Sequence, residues 1–130
     1  MPKNLDLFEK ITTNILAECF ENFPVACSFC AERFCEENNK LQFDVFYYTI
    51  KWLVDNGYLL SKQAELCQEG RVVGVELTEK GLRILHEKVD VLGIDGKLGS
   101  LMKKACKAGG EALASEAVKH LLAIGSQIYL

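Results

Sequence analysis

Apolar side chains recur at gaps of three and four along residues 5–22, LDLFEKITTNILAECFEN. Leu5, Phe8, Ile11, Ile15, Leu16, Cys19 and Phe20 fall on one stripe of a 3.6-residue period, which predicts a first helix. Asn4 suits its N-cap and Pro24 marks its stop. Ser28 is placed to cap a short second helix through AERFCEEN, with Phe29, Ala31 and Phe34 as its apolar contacts. The polar cluster Glu36-Glu37-Asn38-Asn39 ends it. Residues 42–56 predict a third helix. Stepping about 100° per residue from Phe46 puts Phe43, Ile50, Leu53 and Val54 on one side. Asp44, Tyr48, Lys51, Trp52 and Asp55 fall on the other. Asn56-Gly57 is the stop, because glycine tolerates the left-handed conformation that closes a helix.

The period then changes. YLLSKQAELCQEGRVVGVELT carries no helical stripe, Glu69-Gly70 reads as a turn, and Val73, Val75 and Leu77 alternate with Gly74 and Glu76. This predicts a β-hairpin of residues 58–67 against 71–77. Thr78 caps a fourth helix, EKGLRILHEKVDVL, through about residue 90. The glycines of GIDGKLGS predict a linker. Beyond it, small and apolar residues recur at Leu98, Leu101, Met102, Ala105, Gly109, Ala112, Leu113, Ala117, Leu121, Ile124 and Ile128. They predict one helix or two, broken near Gly109-Gly110, since each glycine weakens a helix by roughly 1 kcal/mol. The expected organisation is a domain over residues 1–92, followed by a linker and amphipathic helical extension over 93–130.

Two motifs carry a resemblance. T-I-K-W-L-V-D-N-G-Y-L (49–59) resembles the recognition helix and exit strand of the winged helix-turn-helix superfamily. V-E-L-T-E-K-G-L-R-I-L (75–85) resembles its second wing strand running into the next helix. Both are similar to MarR-like and PadR-like regulators, and the resemblance covers roughly residues 5–90. It implies a mainly α fold with a small β-hairpin, a winged helix-turn-helix with a C-terminal helical extension. It further implies a bacterial-type transcription regulator that reads duplex DNA, with the third helix in the major groove and the wing on the backbone or minor groove. Groove-facing side chains would then be Asp44, Tyr47, Tyr48, Lys51 and Trp52. Gln68 and Arg71 would lie at the wing tip, and Lys40 and Lys62 would flank the surface. Regulators of this type carry Arg, Ser, Thr, Asn or Gln there, which pair with base edges and phosphates. The side of the helix opposite Phe46 instead holds two aromatics, Tyr48 and Trp52, and two carboxylates, Asp44 and Asp55. Exposed Tyr and Trp are typical of protein interfaces, so a protein-contact use of the Tyr48–Trp52 face is the alternative.

Composition bears on that choice. The 130 residues are 49% hydrophobic and 25% charged, as in an ordinary globular chain, with a net charge of −3. A net negative chain is not built mainly to neutralise phosphates, although it can still hold a local basic patch. The N-terminus MPKNLDLFEK has no apolar signal-peptide core, and no apolar run reaches about 18 residues. A cytoplasmic protein with reduced cysteines is the expectation.

The six cysteines, at 19, 27, 30, 35, 67 and 106, include one close pair in CSFC. Zinc sites usually combine two close pairs. Cys67, His86 and Cys106 lack that spacing, so no metal site and no cofactor are expected, and buried structural thiols are the simpler reading. His86 and His120 are isolated, Glu36-Glu37 reads as a solvated helix end, and GIDGKLGS lacks the spacing of a phosphate-binding loop. No spacing suggests an enzyme.

The tail stripe needs a partner. Leu98, Leu101, Met102, Ala105, Leu113, Ala117, Leu121, Ile124 and Ile128 would pack either on the first helix or on a second copy. Homodimerisation through the terminal helices suits a two-fold operator. The basic side formed by Lys97, Lys103, Lys104, Lys107 and Lys119 admits a third reading, a membrane-surface or assembly role.

Overall fold

The computed structural model describes residues 4–61, 70–108 and 111–128. The chain is mainly helical with a small antiparallel sheet. The first predicted helix forms as α1 (Asn4–Asn22). It is more deeply enclosed than its stripe suggests. Ile11, Ile15, Leu16 and Cys19 are buried, and so are Thr12, Thr13 and Ala17 from its other sides, while Leu5 is exposed.

The predicted second helix is a correction. CSFC is a strand, β1 (Cys27–Cys30), followed by a single 3-10 turn, Ala31–Arg33. Phe29 is buried and Ser28 exposed, a two-residue period too short to recognise in four residues. Its pairing partner lies more than forty residues on: Cys27 faces Val75, Phe29 faces Val72 and Cys30 faces Arg71. The third predicted helix forms as α2 (Lys40–Asp55), two residues earlier than expected, because Asn39 caps it by accepting from the Gln42 N–H at 3.1 Å. Gly57 at φ 81° turns the chain out of the helix, with the Tyr58 N–H donating back to the Leu53 carbonyl at 2.9 Å.

The predicted hairpin is present as β2 (Leu59–Ser61) against β3 (Arg71–Leu77), with Leu59 opposite Leu77. Residues 62–67 of the expected first strand lie outside the described residues. The sheet order is β1-β3-β2, all antiparallel. A bulge near Gly74, at φ 73°, shifts the β1 register and turns both Val72 and Val75 inward.

The fourth predicted helix is shorter than expected. α3 (Glu79–His86) stops at Glu87, whose backbone is extended, and the next residues form β4 (Lys88–Val91). The expected linker GIDGKLGS is also a correction, since it holds β5 (Ile94–Lys97) and the start of α4 (Leu98–Ala108). β4 and β5 pair through a two-residue turn in which Leu92 (φ 52°) and Gly93 (φ 80°) are both left-handed, the geometry that suits the strand twist. The division at 92/93 therefore falls inside a tight turn.

α5 (Glu111–Ile128) completes the chain. Both tail helices pack on α1 and on each other. Leu98, Met102, Ala117 and Leu121 share one core cluster with Ile11, Ile15, Phe46 and Leu53. Leu101, Ala105 and Leu113 form a smaller cluster with Val91 of β4. Of the two partners weighed for the tail stripe, the first helix or a second copy, these side chains meet their own chain. Ile124 is half-buried against the same core, and the side chain of Ile128 lies outside the described residues. The reason is geometric: α1 presents apolar groups on more sides than α2 and the sheet can cover, and α4 and α5 cover the remainder. No helix among the described residues is long and apolar enough to cross a membrane.

Candidate interaction face on the second helix

α2 divides cleanly. Phe46, Ile50 and Leu53 are fully buried, and Thr49 beside them satisfies its hydroxyl by donating to the Val45 carbonyl at 2.6 Å. Gln42 sits at the buried rim and accepts the Glu36 N–H at 2.5 Å, which ties the preceding loop to the helix. The outward stripe is Lys40, Leu41, Asp44, Tyr48, Lys51 and Asp55, all exposed. Leu41 is 60% and Tyr48 61% exposed, so two large apolar bodies stand in solvent about two turns apart on one side of the helix. Tyr47 is half-buried and meets the Tyr48 ring edge-on at 5.0 Å.

The charges on this stripe nearly cancel. Lys51 Nζ donates to Asp55 Oδ2 at 2.7 Å. The hydrogen bond and the charge of Asp55 hold the Lys51 ammonium above its ordinary pKa. Asp44 has no cation on the next turn, and Lys40 stands at the helix start.

Trp52 departs from the expected groove-facing set. It is half-buried, meeting Phe8 of α1 edge-on at 5.5 Å and stacking on Tyr58 at 5.8 Å and 22°. Tyr58 is itself buried, and burial pushes its phenol up. Lys80 lies over the other part of this assembly, 4.8 Å from the Tyr58 ring centre, and donates to the Asn56 carbonyl at 2.9 Å. The indole is a structural wedge between α1, α2 and the start of β2. Nothing in its helical position announced this, because the angle that points it away from Phe46 also points it at Phe8.

Of the expected wing residues, Arg71 is exposed at the start of β3. Lys62 and Gln68 lie outside the described residues. The basic side of the tail is partly neutralised within the chain: Lys103 pairs with Glu21 at 2.5 Å and Lys119 with Glu116 at 3.1 Å, while Lys97, Lys104 and Lys107 are exposed.

The cysteines do not assemble a metal centre among the described residues, where no three His, Cys, Asp or Glu side chains converge. Cys19 is buried, and Cys27, Cys30, Cys35 and Cys106 are half-buried free thiols. Burial pushes the Cys19 thiol far up, and the neighbouring Cys27 adds to the shift. Burial also raises Cys27, Cys35 and Cys106. Thiols held protonated are poor nucleophiles and poor metal ligands. Cys67 lies outside the described residues. His86 packs edge-on against Phe20 at 5.1 Å. No family model, curated protein or solved structure matches the chain.

Proposed function

We propose that this chain is a winged-helix interaction module whose α2 face docks a protein. The winged-helix reading draws support from the element order, with a helix between the first two strands, and from the β1-β3-β2 strand order. The observation that carries the protein-docking reading is the composition of the outward stripe. Leu41 and Tyr48 are its exposed large apolar side chains, and its central cation is already bound to Asp55. A phosphate approaching that stripe meets two carboxylates, Asp44 and Asp55, and Lys40 is its one cation outside the Lys51–Asp55 pair. A protein surface with an apolar pocket for Tyr48 and a basic group opposite Asp44 fits it better, and aromatic anchors of this kind carry most of the energy of such contacts.

Duplex DNA is the second reading, favoured by the same element order. It would draw on Lys40, Tyr47, Tyr48, Lys51 and Arg71, after opening the Lys51–Asp55 pair. One experiment separates the two. A photo-crosslinking amino acid at position 48 in the expressing cells should give a discrete protein adduct, lost when Leu41 is also changed to Asp. Purified chain should show no binding to mixed-sequence duplex at low salt. Salt-sensitive duplex binding, lost in both Lys51→Glu and Arg71→Glu, overturns the protein reading in favour of DNA.

A further inference from the structure

The β4–β5 ribbon carries an arrangement that its own chain does not explain. Its cross-strand partners are like-charged: Lys88 faces Lys97, and Asp90 faces Asp95. All four side chains are exposed. Like charges directly opposite each other oppose pairing. The ribbon forms because its other face, with Val89, Val91 and Ile94, packs against the tail helices and the core. One intrachain contact softens the acidic end, where Asp90 Oδ1 accepts the Gly93 N–H of the turn at 2.8 Å.

The hydrogen-bond parity of the ribbon gives these charges a second property. In a hairpin with a two-residue turn, the residues flanking the turn exchange both backbone bonds, and bonded and non-bonded pairs then alternate. Val91–Ile94 and Val89–Gly96 are therefore the bonded pairs. The N–H and C=O groups of Lys88 and Asp90 point away from β5, along an edge that no other strand among the described residues occupies. Among the described residues no backbone hydrogen bond engages them.

We infer that the free edge of β4 pairs antiparallel with the same edge of a second copy of this chain, about a two-fold axis at Val89. In that register Lys88 of each copy lies opposite Asp90 of the other. Both are residues whose backbone groups point outward, so each Lys88–Asp90 pair gains backbone bonds and a charge match together. The result is a continuous four-stranded sheet, β5-β4 joined to β4-β5. Val89, half-buried in the single chain, meets its symmetry mate at the axis, where a non-bonded pair brings side chains closest. Charged residues on an edge usually block such pairing. Here they do not, because Lys and Asp two residues apart are complementary to themselves under this rotation. The β5 edge has the same charge alternation but centres on Gly96, which weakens a strand. The four-residue edge is small for an interface, so the association is expected to be reversible and salt-sensitive. It is independent of the α2 face and of what that face binds.

Sedimentation equilibrium of the full chain at low salt, from about 1 μM to about 1 mM, tests the inference. Wild type should show a reversible monomer–dimer equilibrium. Lys88→Asp alone and Asp90→Lys alone should each weaken it by roughly tenfold or more, while an equimolar mixture of the two restores it to within about threefold of wild type. Circular dichroism checks that each variant is folded. Lys88→Asp removes no side-chain hydrogen bond among the described residues, so if Asp90→Lys fails to fold, wild type and Lys88→Asp decide between them. A wild-type chain that stays monomeric throughout overturns the inference. So do single variants that associate like wild type, or a mixture no better than its folded components.

Discussion

Gly81 lies in the first turn of α3, where helix propensity and packing make opposite predictions. Propensity alone says that Gly81→Ala stabilises the chain by roughly 0.8–1 kcal/mol. Packing says otherwise. A Cβ built at Gly81 runs into the Tyr58 carbonyl oxygen, with Leu77 Cδ2 at 3.2 Å and the Tyr58 carbonyl carbon at 3.3 Å. That carbonyl has little freedom to yield. It accepts the Thr78 N–H at 3.2 Å, and the residue after it, Leu59, is paired with Leu77. Tyr58 is also held by its stacking on Trp52. Overpacking by a single carbon costs about 1–3 kcal/mol where side chains can shift, and a backbone obstacle belongs at the upper end. Subtracting the propensity gain leaves a net loss of about 2 kcal/mol. For a chain of this size that lowers Tm by roughly 6–10 °C. Thermal and urea unfolding of Gly81→Ala beside wild type measure it. Gly93→Ala is the control, because its Cβ meets nothing within 4 Å and its cost comes from the φ of 80° alone. A Gly81→Ala variant as stable as wild type, or more stable, would refute the close approach of α3 to Tyr58.

Three further outcomes follow from the same packing. Thr78→Ala removes the hydroxyl that accepts the Gly81 N–H at 2.9 Å and donates to the Gly57 carbonyl at 2.5 Å; a loss of about 1–2 kcal/mol in urea unfolding is expected, and Thr78→Ser should recover most of it. Trp52→Ala should cost about 2–4 kcal/mol, less than a fully buried tryptophan, whereas an indole exposed for DNA contact would change stability by under about 0.5 kcal/mol. Stability should fall at alkaline pH. The unfolded Cys19 thiol ionises near pH 8.5, its ordinary value, while the folded thiol stays protonated well above that. The unfolded state therefore binds fewer protons, and the contribution of Cys19 to stability, constant below about pH 8.5, declines above it. Urea midpoints at pH 8 and pH 10 should differ by less in Cys19→Ala than in wild type.

The sequence by itself determined the elements whose cause is local. The 3.6-residue stripe located α1 and α2, Asn56-Gly57 marked the end of α2, and the Thr78 cap marked the start of α3. The alternation identified β3 and the inward faces of Val75 and Leu77, but not Val73, which is exposed because the bulge near Gly74 turns Val72 inward in its place. The β4–β5 ribbon was also legible in principle, since Val-Asp-Val and Ile-Asp flank a two-residue turn ending in glycine, but the glycines read as a linker. Tertiary structure decided the rest. β1 is a strand because β3 offers it an edge more than forty residues away. Trp52 is a wedge because Phe8 and Tyr58 converge on it from other elements. The tail stripe faces inward because α1 has sides that α2 and the sheet leave uncovered. Periodicity reports which side of an element is apolar. What covers that side is set by contacts distant in the chain, and for this protein those contacts determine which of its surfaces remain open to a partner.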